Sequence, residues 1–235
     1  MSVTVMSFNT QHCMNYITRE IDFDLFADTI RSLGADIVGL NEMRDEGMHP
    51  GYQAQAKILA EKLGFFYYFA EAIKFLDVNP YGKAIISRYP ILSAETIPVP
   101  DPVEKLYDGY YETRCLLKAK IDAPGGPLTV CVIHFGLNPD EHQNAVNTVM
   151  ANVENARCVL MGDFNMTPDN VLLRPIQDHM ADTAELFPEN LLSFPSDKPE
   201  CKIDYIFTSK DMTTLSADIP AVVASDHRPY TAVLA

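Results

Sequence analysis

The feature that most constrains this chain is a recurring break from apolar to polar sequence. Short runs of β-branched, aliphatic and aromatic residues each end abruptly on an amide, a carboxylate or an imidazole. Val3 to Phe8 runs into Asn9, Ile37-Val38-Gly39-Leu40 into Asn41-Glu42, and Leu128 to Ile133 into His134. Val159-Leu160-Met161 runs into Gly162-Asp163-Phe164-Asn165, and Val222-Val223-Ala224 into Ser225-Asp226-His227. Runs this short and this apolar read as strands covered on both faces. Ligand sites in α/β proteins are commonly built just beyond such strand ends, where a rigid scaffold holds polar loops. If these five ends share one edge, they gather asparagines, carboxylates and histidines in one place.

The intervening sequence supplies the covering layers. A helix is expected from about Asp22, with Phe26, Ile30 and Leu33 on one face and Gly34 as its stop. A second is expected over Gln53 to Leu63, with Ala56, Leu59 and Leu63 in one stripe, closed by Gly64; Phe65 to Phe69 then returns as a strand. Ala84 to Ile97 reads as two strands broken at Tyr89-Pro90, and Val99 to Tyr110 as a loop. Thr113 to Ile121 and Leu128 to Ile133 form a strand pair around Pro124-Gly125-Gly126-Pro127. A helix over Asp140 to Asn155 turns Ala145, Val149 and Val153 inward. Ile203 to Phe207 and Thr231 to Leu234 are the last strands, and Pro188 to Glu200 is a surface loop. Helices and strands alternate early and strands dominate later, which argues for a layered α/β or α+β fold in one domain over residues 1–235.

Composition narrows the partners. Of 235 residues 47% are apolar, enough for a sizeable core, and the formal charge is −14 with no run of lysine or arginine. Strong non-specific binding to nucleic acid rests on many basic contacts to phosphate and is not expected here. Cysteines 13, 115, 131, 158 and 201 are odd in number and form no C-x-x-C pair; four sit in apolar, strand-like surroundings and read as buried thiols. Met1 to Thr10 has no basic segment followed by an apolar one, and no stretch is long enough to span a bilayer. A cytoplasmic monomer is the expectation.

The inventory at the strand ends has a chemical meaning. Oxygen donors such as Glu42 and Asp226 suit a hard cation like Mg²⁺, whereas zinc favours closely spaced histidine or cysteine, a pattern the sequence lacks. Histidines beside a cation and carboxylates suit attack of water on phosphorus. Each fragment alone has a plainer reading: Asn9 as a turn cap, His134 as a satisfied structural histidine, Gly162-Asp163-Phe164-Asn165 as turn sequence. Their co-occurrence in one chain is what points to a site.

Taken together, the motifs resemble the endonuclease/exonuclease/phosphatase superfamily along nearly the whole chain. They run in order: Ser7-Phe8-Asn9-Thr10, Asp36 to Glu42, Tyr81 to Arg88, Tyr111 to Arg114, Ile133-His134-Phe135, Gly162 to Asn165, Ile203 to Ile206, and Ser225 to Pro229. The resemblance implies a four-layered α/β sandwich, with two central mixed β-sheets packed face to face and helices outside. It implies Glu42 as principal metal ligand, with Asn9 and Asp226 in support, and Mg²⁺ as the ion, with Mn²⁺ as substitute. Asp163 would activate water, Asn165 and His134 would bind the phosphate, and His227 would contact it with Asp204 holding its ring. Arg114, with Glu112 as nearest partner, would position substrate or brace the site.

Departures bear on substrate. Gln11 stands where abasic-site nucleases of the superfamily carry an acid, and His134 where they tend to carry tyrosine. Few basic residues lie near the motifs beyond Arg44, Lys83, Arg88, Arg114, Lys202 and Arg228. The favoured expectation is a metal-dependent phosphodiesterase or phosphatase acting on a small or lipid-derived ester. A nuclease is the alternative, and an inactive binding protein of the same fold ranks below both. Substrate specificity is sought in the loops expected at 44–52, 72–82, 98–112 and 188–200.

Overall fold

A strand that is apolar on both faces needs a layer on each side, and the fold provides both. A computed structural model describes residues 2–186 and 191–235 of the chain. The first half comprises β1 (Val3–Asn9), α1 (Phe23–Ser32), β2 (Ile37–Arg44), α2 (Gln55–Leu63), β3 (Phe66–Phe75), β4 (Asn79–Ser87) and β5 (Ile91–Pro98). The second comprises β6 (Cys115–Ile121), β7 (Leu128–His134), α3 (Pro139–Asn152), β8 (Cys158–Asp163), α4 (Arg174–His179), β9 (Ala181–Asp182), β10 (Asp204–Thr208), β11 (Thr214–Asp218) and β12 (Tyr230–Leu234). Two six-stranded mixed sheets result, ordered β11-β12-β1-β2-β4-β3 and β5-β6-β7-β8-β10-β9. They give the four-layered sandwich that the sequence motifs imply.

Alternation along each strand decides which layer a residue joins. Val5, Ile37, Val130, Val132, Val159 and Met161 fill the layer between the sheets. Met6, Phe8, Val38 and Leu40 face the other way and pack with Phe26 and Ile30 of α1 and Leu59 of α2. Cys131, Ile133, Cys158 and Leu160 likewise pack against Ala145 and Val149 of α3. The sheets come close at Gly39, where a Cβ would lie 2.8 Å from the Met161 sulfur and 2.9 Å from a Val132 methyl. Helices α1 and α3 start where expected, α2 two residues later than expected: the Asp22 side chain accepts from Leu25 N–H at 2.9 Å, and Glu141 accepts from Asn138 N–H at 3.1 Å at the head of α3.

Strand direction then fixes one functional edge. β1 and β2 are parallel, as are β7 and β8, so their carboxyl ends point the same way. β12, β4, β6 and β10 are antiparallel to these neighbours and bring their amino ends to that edge, with Tyr230 opposite Ser7 and Asp204 opposite Asp163.

Several expectations need correction. Val222 to Ala224 is not a strand: Val222 N–H closes a tight turn onto Pro220 O, and the segment leads into the loop before β12. Residues 72–82 are not a loop but mostly the β3–β4 hairpin, whose turn includes Leu76 and Asp77 at positive φ. Of the segment 188–200, residues 188–190 lie outside the described residues. The remainder is only partly a surface loop: Ser193 and Ser196 are fully buried, whereas Asp197, Lys198 and Glu200 are exposed. Strand β11 and helix α4 had no counterpart in the sequence reading. The four cysteines in apolar surroundings are buried and free, and Cys201 is half-buried and free.

Candidate active site

The site begins with a defect in β2. The register against β4 shifts between Leu40 and Met43, and Glu42 sits at φ 58°. Such a bulge lets Met43 take the inward, helix-facing place that regular alternation would give residue 42. The Glu42 carboxylate is thereby free to turn to the edge, where Oε1 accepts from Asn9 Nδ2 at 3.1 Å. The preceding residue, Asn41, is fully buried and crosses between the sheets: its Nδ2 donates to Ile133 O at 2.9 Å, and its Oδ1 accepts from Asp163 N–H at 3.1 Å.

Asp163, the last residue of β8, is the hub. Its Oδ1 accepts from Asn165 N–H at 2.9 Å, and its Oδ2 accepts from Asn9 Nδ2 at 3.1 Å. That same Oδ2 lies 3.5 Å from His134 Nε2 and 3.6 Å from His227 Nε2. Gly162 makes the approach feasible, since it adopts φ 149° and a Cβ there would collide with Ile133 O. Burial raises the Asp163 pKa to about 7; the negative Asp204 adds to the rise, while His227 and the hydrogen bonds from Asn165 and Asn9 oppose it.

The two histidines differ in charge. His227 Nδ1 donates to Asp204 Oδ2 at 2.8 Å, and the Phe194 ring packs on it at 4.8 Å. Burial disfavours its imidazolium, but Asp204 and Asp163 together outweigh that and raise its pKa to about 10. His134 is pushed well below the usual range, first by burial and then by Arg114 and Lys83. Asn165, at φ 49°, turns its amide toward His134 and donates to Phe135 O at 3.1 Å.

Asp226 completes the edge. Its Oδ2 accepts from Gln11 Nε2 at 3.0 Å and its Oδ1 from the Ser225 hydroxyl at 2.9 Å. Gln11, His12 and Cys13 carry φ of 45°, 62° and 58°, a left-handed run that L-residues adopt at a cost of about 1–3 kcal/mol each. This strained turn also sets the His12 ring against Glu42, with Nδ1 donating to the Glu42 carbonyl at 3.0 Å. Burial and Arg44 lower the His12 pKa to about 4. Beside it, His12, Arg44, Tyr52, Phe75, Tyr81 and Glu112 line a cavity of about 230 Å³. A larger one, about 350 Å³, lies between β5, β6 and Glu154, away from all these groups.

The donor set fits a hard cation. Burial raises the Glu42 pKa and the neighbouring Asp226 raises it further, while the Asn9 hydrogen bond, His227 and Arg114 oppose the rise; Glu42 and Asp226 offer oxygen ligands of the kind a hard cation takes. Asp163, Asp204 and His227 also present ligand atoms within 4.8 Å of one another. There, however, the His227–Asp204 contact is a hydrogen bond that already uses the imidazole proton. Asn9 stands among the acids with its amide nitrogen toward Glu42 and Asp163, its oxygen accepting from Gln11 N–H at 3.1 Å.

The residues given a site role in the sequence lie at this edge. Asn9, Glu42, His134, Asp163, Asn165, Asp204 and His227 are linked through direct contacts, and Asp226 joins through Gln11. Arg114 stands behind them, its guanidinium turned to Glu112 and to His134 Nδ1. Asn41, Gln11 and His12 were not assigned roles. The left-handed turn and the cross-sheet bonds that give them importance have no sequence signature.

Known proteins bear on this edge. Residues 6–227 match the family model described as Endonuclease/Exonuclease/phosphatase family. No curated protein matches the chain. Among solved structures, an endonuclease/exonuclease/phosphatase from Beutenbergia cavernae aligns with a TM-score of 0.80 at 22% identity, covering 99% of this chain and 71% of that one. A mannosyl-6-phosphatase from Bacteroides thetaiotaomicron aligns at 0.77 and 17% identity, covering 99% of both chains. The human Nocturnin catalytic domain with bound sulfate aligns at 0.74 and 17%, covering 100% and 93%. At these identities the structural likeness speaks for the fold, and the family model speaks for descent: this chain belongs to the endonuclease/exonuclease/phosphatase family.

Proposed function

We propose that the chain is a divalent-cation-dependent hydrolase of phosphate esters, with Mg²⁺ as the working ion and Mn²⁺ as a substitute. The observation that carries this reading is the placement of Asp163 Oδ2 between two histidine Nε2 atoms at 3.5 and 3.6 Å. A buried carboxylate with a pKa of about 7 is poised to take a proton from water near neutral pH. The water oxygen bonds to phosphorus as its proton passes to Asp163, and the P–O bond to the leaving oxygen breaks, the departing alkoxide taking a proton from solvent. His227 as imidazolium, His134 and the Asn165 amide stand where charge builds on the phosphoryl oxygens. Glu42 and Asp226 would hold the cation, with Asn9 orienting Glu42 toward it. When bound, such an ion supplies positive charge opposite the phosphoryl oxygens.

A small or lipid-derived ester is favoured as substrate, because the net charge of −14 opposes a long polyanion. The alcohol portion has room in the cavity beside Glu42, between Arg44, Tyr52 and Phe75. The mannosyl-6-phosphatase is a relative in fold whose name describes a small phosphorylated sugar, which is compatible with this choice. The test compares a chromogenic phosphodiester with the matching monoester, each with Mg²⁺ or EDTA, and with Asp163→Asn as control. Hydrolysis that needs both the ion and Asp163 supports the reading. Salt-sensitive binding and cleavage of DNA or RNA in place of either ester would assign a nuclease instead.

A further inference from the structure

We propose that Arg114, locked by Glu112, is a positioning residue that fixes His134 as a neutral imidazole with its single proton on Nε2. Arg114 is nearly buried, its side chain about 10% exposed, and its Nη1 lies 3.1 Å from His134 Nδ1 while also pairing with Glu112. The Tyr81 hydroxyl, near the amino end of β4, lies close to this guanidinium. A guanidinium carries five N–H donors, has no acceptor and keeps its charge in proteins. Whatever nitrogen faces it must therefore be a bare lone pair, and here that nitrogen is Nδ1.

The opposite ring nitrogen has an acceptor within reach. Nε2 lies 3.5 Å from Asp163 Oδ2, a carboxylate oxygen that accepts. The Asn165 amide nitrogen, 3.3 Å from Nε2, gives one N–H to Phe135 O and is itself a donor, so the acceptor that faces Nε2 is Asp163 Oδ2. With the other tautomer, N–H would face N–H at Arg114 and a lone pair would face Asp163. A doubly protonated ring would face the guanidinium, with the Lys83 ammonium near; Lys83 is fully buried with its Nζ 3.3 Å from the Cys115 sulfur. The Nε2–H tautomer alone sets a lone pair against Arg114 and turns an N–H toward an acceptor.

The consequence is a division of labour around one carboxylate. His227, held by Asp204, is a cation, whereas His134, held by Arg114, is an uncharged donor that keeps its proton. Given the proposed hydrolysis, on which this role rests, His134 donates a hydrogen bond to a phosphoryl oxygen but does not protonate the leaving alcohol.

Two-bond ¹H–¹⁵N correlations on ¹⁵N-histidine-labelled protein at neutral pH read the tautomer directly, with His134→Asn used only to assign the ring. The expected spectrum has a pyridine-type Nδ1 and a pyrrole-type Nε2 at His134 in the wild-type protein. A protonated Nδ1, in either the reversed tautomer or an imidazolium, overturns the inference. In Arg114→Met the preference should relax to a mixture, and kcat should fall about 10- to 100-fold with KM little changed, as for loss of one oriented donor. A variant that keeps the wild-type tautomer and kcat would also overturn it. The wild-type spectrum decides the matter even if the variant does not fold. It is also independent of turnover, so an inactive protein with the expected spectrum would refute the proposed hydrolysis and leave the positioning role standing.

Discussion

Asn41 offers a demanding test of how the two sheets share one site. Its amide makes two hydrogen bonds from β2 across to the second sheet, at 2.9 Å to Ile133 O and 3.1 Å from Asp163 N–H, in a fully buried position. Asn41→Ala removes both. The Asp163 N–H is then stranded, at a cost of about 2 kcal/mol, and the Ile133 carbonyl loses one partner at about 1 kcal/mol. The sum, about 3 kcal/mol, corresponds to a fall in Tm of roughly 6–12 °C for a chain of this size. Urea unfolding followed by circular dichroism should show a lower midpoint with an unchanged slope. Gln143→Ala, which removes an exposed helix-surface bond to Asn147, should stay within about 0.5 kcal/mol of wild type. A Tm for Asn41→Ala within about 2 °C of wild type would refute the claim that this amide clamps the sheets.

Three further outcomes follow from the site. In kcat/KM against pH, Asp163 must be unprotonated and His227 protonated, so activity should rise through about 7 and fall above about 10, each limb belonging to the linked cluster and not to one residue; a profile that falls from about pH 6 to about pH 8 would contradict the base assignment. Glu42→Gln should raise the Mg²⁺ concentration for half-maximal activity about 10- to 100-fold, and an unmoved titration would remove Glu42 from the ligand set. Gly39→Ala places a methyl within 3 Å of Met161 and Val132 and should cost about 1–3 kcal/mol by chemical denaturation, with an unchanged midpoint refuting the close approach of the sheets.

What was legible in the sequence depended on how many faces a strand buries. β1, β2, β7 and β8 are central and covered on both sides, so they read as unbroken apolar runs and their polar ends stood out. β11 is an edge strand whose Leu215 is exposed, and Thr214-Leu215-Ser216-Ala217-Asp218 carries no comparable pattern. The location of Asp226 and His227 was legible, but the reason was not: Val222 to Ala224 imitates a strand, whereas these residues arrive on the loop before β12. Segment 191–200 reads as polar surface because serine, proline and charge are typical of loops. Its serines are instead buried beneath the His227 loop, where Ser196 N–H donates to Asp226 O. The bulge at Glu42 and the left-handed turn at Gln11 to Cys13 are backbone events that side-chain patterning does not encode, and Asn41 needs both sheets in place before its two bonds exist.

The central claim is that one edge of the sandwich, organised by Asp163, hydrolyses phosphate esters with the help of a divalent cation. The most direct measurement is release of chromophore from paired phosphodiester and monoester substrates by wild-type protein and Asp163→Asn, with Mg²⁺ and with EDTA. The account predicts turnover of at least one ester that vanishes with EDTA and falls by about 10²-fold or more in Asp163→Asn while that variant stays folded. Equal turnover by Asp163→Asn, or turnover indifferent to EDTA, would contradict it.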